Sequence, residues 1–531
     1  MLGARTLLIN PPLLGGIAFT RQGRCQEREE VLGTTKPPYT LALLASLLRQ
    51  RGCDVRLIDQ TAERISTTQV VARLAEHRFH PTLIVFCSTT PTLDADAAEM
   101  ARLKHQFGAP LVCFGPHASG APQPSMERAP DVDAMVVGEP EDAILAIAAL
   151  ESLAAVDSDT IPSLTYRRNG SIVAHRSRGS YAGFDSMPIP AWDLLSLDRY
   201  MLPLVGKPYV LVETSRGCPY SCDFCIVPLH QGHKFRERSA STLVDEIERG
   251  KKDLGIDYFY LWADTATLNV KTFGAFCDEL IARDLKIRWF GNARADNLGD
   301  PDFVAKLRRS GCWMLAMGIE SASDDIRQDM LKKLDRQKIH TAFVNLRSVG
   351  IKSFAFFIYG YPGDTVDSME QTTRYALELD PDFANFYPAV PYPGTDLYEK
   401  VKREGLLPDE DWTRMEYSYY LLSGGGLDER VVMEAIRRAK RRFFLRRSYV
   451  TRHLGDLARL ALTKPALVWQ MATRTLFGET PARRTAGAGD CRAAACVTER
   501  LKQKRVGSQR TGVDPAESGA SVVPTSAGID R

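Results

Sequence analysis

The sequence predicts an α/β protein: a doubly wound parallel sheet, then a partial (β/α)6 barrel, then a helical C-terminal region. Three observations predict it. Residues 5–150 and residues 209–395 each alternate short apolar strands with helical stretches. The residues with unusual chemistry follow the strands, where ligands bind in parallel sheets and barrels. At 531 residues the chain also exceeds what one core organises, and its length suggests about three domains.

In the first unit the expected strands are Thr6–Asn10, Asp54–Asp59, Leu83–Ser88, Leu111–Phe114 and Ala134–Val137. Helical patterns such as Thr40–Arg51 and Ala95–Phe107 separate them, as a parallel sheet requires. The loops at the strand ends are Asn10-Pro11-Pro12, Ser88-Thr89-Thr90, Gly115-Pro116-His117 and Gly138-Glu139. Residues 151–208 read as a connector, with a hairpin within Asp157–Arg178 that turns at Arg168-Asn169-Gly170. The second unit has strands at Tyr209–Thr214, Tyr258–Trp262, Arg288–Ala293, Met314–Gly318, Ser353–Tyr359 and Phe383–Tyr387. Six such repeats suggest a partial, TIM-like barrel.

The first barrel strand runs into Arg216-Gly217-Cys218-Pro219-Tyr220-Ser221-Cys222-Asp223-Phe224-Cys225. The CxxxCxxC spacing suits three thiolates on three irons of a 4Fe–4S cluster, leaving one iron open. It does not suit a tetrahedral zinc clip, which favours two separated CxxC pairs. The alternative is three buried structural thiols, but a loop of Arg-Gly and Pro-Tyr-Ser is an unusual place for core cysteines.

At this motif the chain resembles the radical S-adenosylmethionine (SAM) enzymes, in which the open iron chelates SAM and the reduced cluster cleaves it to a 5′-deoxyadenosyl radical. Five further elements follow in the family's order. Asp264-Thr265 stands where the family binds the SAM amino group; helix capping is the alternative. Arg294 suits the SAM carboxylate, or a salt bridge to a neighbouring helix. Gly318-Ile319-Glu320-Ser321 implies ribose contact through Glu320, with pairing to Arg294 as the other reading. Tyr359-Gly360-Tyr361-Pro362-Gly363 places Gly360 and Pro362 near the adenine, or forms a plain turn before a helix capped by Asp364 or Thr365. Pro391-Tyr392-Pro393-Gly394-Thr395 closes the series. Phe224, just before the last thiol, is a further cofactor-binding candidate.

The first unit resembles the Rossmann-like, cobalamin-binding domain of a large subclass of that family. The matching pieces are Asn10-Pro11-Pro12, Lys36-Pro37-Pro38, Phe114-Gly115-Pro116-His117-Ala118 and Val137-Gly138-Glu139-Pro140-Glu141. The resemblance implies cobalamin contacts from Ser88, Thr89, Thr90, Gly115, His117, Gly138 and Glu139. The DxHxxG motif that supplies a cobalt ligand elsewhere is absent, so His117 is expected at the cobalamin periphery rather than on the metal. The two resemblances cover about 390 residues of the chain.

Between Arg437 and Arg474 there are eleven Lys/Arg and one acid, Asp456, interleaved with Phe443, Phe444, Leu445, Tyr449, Leu457, Leu460 and Trp469. Such a segment suits an anionic membrane surface, or a helical subdomain, within 396–478, packed on the barrel. Residues 479–531 read as a disordered tail. Eleven cysteines, with no signal peptide before the first strand and no run of about 18 apolar residues, lead to the expectation of a cytoplasmic protein, peripheral to a membrane at most. A net charge of only +3 gives no nucleic-acid signature.

The reading is a radical SAM enzyme using a 4Fe–4S cluster, SAM and cobalamin, with a small-molecule substrate and an external electron donor such as a flavodoxin or ferredoxin. Its expected reaction is methylation of an unactivated carbon in a lipid-like, tetrapyrrole or natural-product intermediate. Oxidative cyclisation or rearrangement without methyl transfer is the alternative. A tRNA methylthiotransferase would want a second three-cysteine set, which is absent, and a cluster or cobalamin sensor would need no SAM pocket. No catalytic residue is assigned from sequence.

Overall fold

The first strands are apolar on both sides because both sides are covered. In the computed structural model, which describes residues 4–21, 35–156, 159–202 and 205–455 with residues 458, 462 and 469, β1 (Arg5–Asn10) buries Leu7, Leu8 and Ile9 completely. β2 (Asp54–Asp59), β3 (Leu83–Cys87), β4 (Leu111–Phe114) and β5 (Ala134–Val136) join it in the parallel order 2-1-3-4-5. Leu8, Val85 and Val112 face one apolar cluster with the helix Tyr39–Gln50. Leu7, Ile9, Ile84 and Phe86 face the other, with the helices Thr67–Glu76 and Leu93–Phe107. This alternation is what a doubly wound sheet requires. Every expected strand of this unit lies within one residue of its observed limits.

The hairpin is β6 (Leu164–Arg168) and β7 (Ser171–Val173), shorter than the span 157–178. Asn169 and Gly170 both have positive φ, 51° and 79°, as a tight hairpin turn demands. The hairpin adds antiparallel to β5 and so extends the first sheet to seven strands.

The second sheet carries β8 (Met201–Leu202) antiparallel on the edge of β9 (Lys207–Glu213). A short ribbon of β10 (Ser215–Arg216) and β11 (Arg236–Glu237) brackets the cysteine loop. Then β12 (Tyr258–Trp262), β13 (Arg288–Ala293), β14 (Cys312–Glu320), β15 (Lys352–Tyr359) and β16 (Phe383–Pro388) complete six parallel strands with β9. This is the expected open half-barrel, and the strand ends converge on one side.

The segment after β16 returns to the first sheet. Tyr398, Trp412, Met415 and Leu421 pack into the apolar cluster of Ile9, Phe86 and Met126. The helix Glu429–Phe444 turns Val432, Ala435, Ile436, Ala439 and Phe443 inward against β15 and β16. Its apolar stripe is therefore spent on the barrel, and Arg442, Arg446 and Arg452 pair with Glu370 and Asp380. Among the alternatives for this segment, the described part is the helical subdomain. Most of 456–478 and the whole expected tail 479–531 lie outside the described residues. Among the described residues no helix is long and apolar enough to cross a membrane.

Candidate active site

The cysteine loop owes its shape to one forced glycine and a set of anchors. Gly217 has φ 78°, and a Cβ there would collide with the Lys234 carbonyl. Its N–H donates to Gln231 Oε1 at 3.1 Å, and Cys218 N–H donates to the Gly232 carbonyl at 3.2 Å. Between the second and third thiols, Asp223 accepts from the Tyr361 hydroxyl, and its N–H donates to the Met330 carbonyl. Burial pushes the Asp223 carboxyl up, and the Tyr361 hydrogen bond opposes that.

Cys218, Cys222 and Cys225 are half-buried, carry no disulfide and line one open cavity. Phe224, Asp264, Arg294 and Glu320 line the same cavity. The structure thus brings together residues spread over about a hundred positions. No three His, Cys, Asp or Glu side chains converge as a lone metal ion would require, among the described residues. A cuboidal cluster takes one thiolate on each of three irons and needs no such convergence, so the donor set fits it.

Asp264 and Thr265 are not helix caps, because the following helix starts at Val270 and is capped by Asn269. Arg294 is not tied to a neighbouring helix. It chelates Asp296 in its own loop, with Nε–Oδ1 and Nη2–Oδ2 both 3.0 Å, and donates to the Lys332 and Lys333 carbonyls. Its guanidinium lies 3.7 Å from the Tyr220 ring centroid, which couples it to the cysteine loop. Among the described residues Nη1 has no protein partner.

The expected alternative for Glu320, a pair with Arg294, is corrected. A register shift between β14 and β15 at Gly318/Glu320 gives Glu320 φ 67°. Its carboxylate meets Lys332 Nζ at 2.7 Å, inside the cavity. A Cβ on Gly318 would strike both Glu320 and Lys332, so only glycine leaves the pair room. Lys332 was not legible in sequence, since it lies in a loop with no motif.

Gly360 and Pro362 do not line the cavity; Tyr361 between them does. Gly360 has φ 73° and packs beneath the Tyr420 ring, whose hydroxyl donates to its carbonyl at 2.9 Å. Thr365 caps the next helix with Ser368. Asp364 instead accepts from the Gly360 and Tyr361 N–H groups, and burial pushes its carboxyl up to about 6.

The strand ends of the first sheet form a second, smaller hollow, lined by Asn10, Phe19, Thr20, Arg21, Lys36, Cys87 and Phe114 among others. It sits where the strand order reverses, the ligand position of such sheets. Gly115 (φ 132°) is forced, because a Cβ would meet the Ser88 carbonyl at 2.5 Å. Ser88 donates to Asp96 at 2.9 Å, and His117 Nδ1 lies 3.0 Å from Thr90 Oγ1, with Thr89 buried between them. His117 stands edge-on to Trp412, 4.5 Å between centroids. Burial, aided by Arg128, pushes its imidazole down to about 3. Among the described residues its Nε2 is buried without a partner, an unusual internal feature beside the ligand edge of the sheet. The hollow itself is not lined by Ser88, Thr89, Thr90, Gly115, His117, Gly138 or Glu139. Gly138 and Glu139 turn the other way: Glu139 Oε2 accepts from Tyr181 N–H at 2.7 Å and from Arg216 Nη1 at 3.1 Å.

The family model of the radical SAM superfamily matches residues 212–376, and that of the B12 binding domain matches residues 30–148. An uncharacterised methyltransferase of Pyrococcus horikoshii is 30% identical over 445 residues, 83% of this chain and 93% of that protein. The chain belongs to the radical SAM superfamily and carries a B12-binding domain. An anaerobic magnesium-protoporphyrin IX monomethyl ester cyclase of Rubrivivax gelatinosus is 26% identical over 424 residues, 78% of this chain and 75% of that one. The fold matches that of the cobalamin-dependent radical enzyme OxsB, solved with aqua-cobalamin and SAM, with TM-score 0.66 at 15% identity over 94% of this chain and 75% of that one. The cofactors of this radical SAM enzyme are a 4Fe–4S cluster, SAM and cobalamin.

Proposed function

We propose that this radical SAM enzyme methylates an unactivated carbon of a small molecule that presents an apolar segment to the cavity. The observation that carries the reading is the cavity itself. At one end it has the three thiols with Asp264, Arg294, Glu320 and Lys332; its remaining wall is apolar and aromatic, including Phe356, Ile358, Tyr387, Val390, Tyr392 and Tyr417. Val390 and Tyr392 also belong to the apolar cluster of the first sheet. A substrate there lies between the cluster loop and the B12-binding domain.

Cluster and SAM supply a hydrogen-abstracting radical, and cobalamin carries the methyl group. Cys218, Cys222 and Cys225 hold the cluster. Asp264 accepts from the SAM ammonium, and Arg294 Nη1 meets its carboxylate. Glu320, steadied by Lys332, accepts from ribose hydroxyls. The apolar wall excludes water and packs the apolar segment of the substrate in one orientation. An external one-electron donor of flavodoxin or ferredoxin type completes the cycle. The similarity to a methyltransferase across 83% of the chain supports methyl transfer.

The cyclase similarity favours one second reading, oxidative ring closure with no methyl transferred. Anaerobic turnover with methyl-labelled SAM separates the two. Label in a product that has gained a methyl group, alongside 5′-deoxyadenosine, supports methylation. A product that has lost hydrogens and carries no label overturns it.

A further inference from the structure

The loops after β4 and β5 are tied at two points to the segments that flank the cysteine loop, and at a third to the loop after β16. First, Arg216, two residues before Cys218, is buried among carboxylates: Glu139 at 3.1 Å, Glu141 at 2.7 Å and Glu213 at 2.8 Å. Arg236, its neighbour across the β10–β11 ribbon, also pairs with Glu139, and both guanidiniums lie over the Phe184 ring at 5.1 and 5.6 Å. Second, Ser119 Oγ receives the Gly138 N–H at 3.0 Å and stands 3.4 Å from Nδ1 of His230, in the helix that follows the cysteine loop. Third, Gly120 and Gly394 meet backbone to backbone: a Cβ on Gly120 would collide with the Pro393 carbonyl, and one on Gly394 with the Gly120 carbonyl.

We propose that Glu139 and Arg216 are positioning residues: their ion pair fixes the cluster loop against the B12-binding sheet and so sets the separation and orientation of the two metal centres. The inference rests on the chain holding both cofactors and not on which group is transferred. Stability alone is a poor reason for the network. Apolar residues of similar volume are often neutral or better than a buried ion pair, whereas an ion pair specifies one arrangement. Position matters more, since a misplacement of about 1 Å can cost on the order of 100-fold in rate. Glu139 lies in the loop after β5 and Glu141 opens the helix that follows it, whereas Arg216 lies in the β10–β11 ribbon that brackets the cysteine loop, so the network reaches across the boundary that the chemistry must span.

The test is Glu139→Gln in the cofactor-loaded full chain, with Arg236→Gln as the milder variant that removes only the outer guanidinium. Iron and cobalt content are measured first. The readout is the enhancement of cob(II)alamin electron-spin relaxation by the reduced cluster, which falls steeply with distance and needs no turnover. The expected result is full cofactor content with the enhancement lost or spread over a broad range in Glu139→Gln, and a smaller change in Arg236→Gln. Unchanged relaxation in Glu139→Gln at full content would overturn the proposal. So would loss of both cofactors from both variants, which would make the network purely structural.

Discussion

Arg294→Lys separates a guanidinium that binds by geometry from a cation that binds by charge. Arg294 chelates Asp296 through two 3.0 Å contacts, donates to two backbone carbonyls and covers Tyr220 at 3.7 Å, leaving Nη1 for the ligand. An ammonium at that position lacks the planar fork that chelates Asp296 through two bonds while presenting a further N–H to a SAM carboxylate in a fixed direction. One hydrogen bond to a charged group is worth about 1.5–3 kcal/mol. The lysine's residual attraction offsets part of that, so the expected loss in SAM binding is about 1.4–2.8 kcal/mol, or roughly 10- to 100-fold in Kd. The assay is anaerobic equilibrium dialysis of SAM against reconstituted enzyme, with iron measured in the same samples. A Kd within about twofold of wild type at full iron content would refute the placement of Arg294 at the SAM carboxylate.

Three further outcomes are expected. Lys332→Met leaves the buried Glu320 carboxylate without its partner and should weaken SAM binding with little change in iron content, as the same dialysis would show. Trp412→Ala removes a buried ring that packs on His117 and lies under Arg128; chemical denaturation should show a loss of about 3–5 kcal/mol, and the variant should retain less cobalamin after gel filtration. Burial pushes Glu213 up to about 7, against the pull of Arg216. The fold therefore prefers its protonated form, and its contribution to stability falls as pH rises from the ordinary glutamate range to about 7. Denaturation at pH 5 and pH 7.5 should show a shallower decline in Glu213→Gln, and an identical decline would count against the assignment.

The strands were legible because burial on both faces leaves continuous apolar runs, and loops after parallel strands mark the ligand edge. Cys218, Cys222, Cys225, Phe224, Asp264, Arg294 and Glu320 converge on one cavity; the cysteine spacing pointed to the three thiols, and the resemblance to the family's motifs pointed to the rest. What was hidden depends on pairing across distance. Lys332 sits in a loop without periodicity, and only the shifted register at Glu320 brings it into the cavity. Glu139 has the look of a ligand residue at a strand end, yet its partner Arg216 is 77 positions away. Gly360 stands in a ligand-like motif, but its positive φ serves a contact with Tyr420 from the C-terminal segment. The basic stripe after Arg437 left two readings open, a membrane face or a subdomain packed on the barrel, and in the structure Ala439 and Phe443 turn toward the barrel.

One chain is expected to hold both metal centres, the cluster on Cys218, Cys222 and Cys225 and cobalamin on the first sheet. Iron, sulfide and cobalt content per chain, after anaerobic purification with cobalamin supplied, tests it most directly. About four irons and one cobalt are expected, with the triple Cys→Ala variant losing the iron and keeping the cobalt. Iron without cobalt in the wild-type protein, or iron retained in the variant, would contradict it.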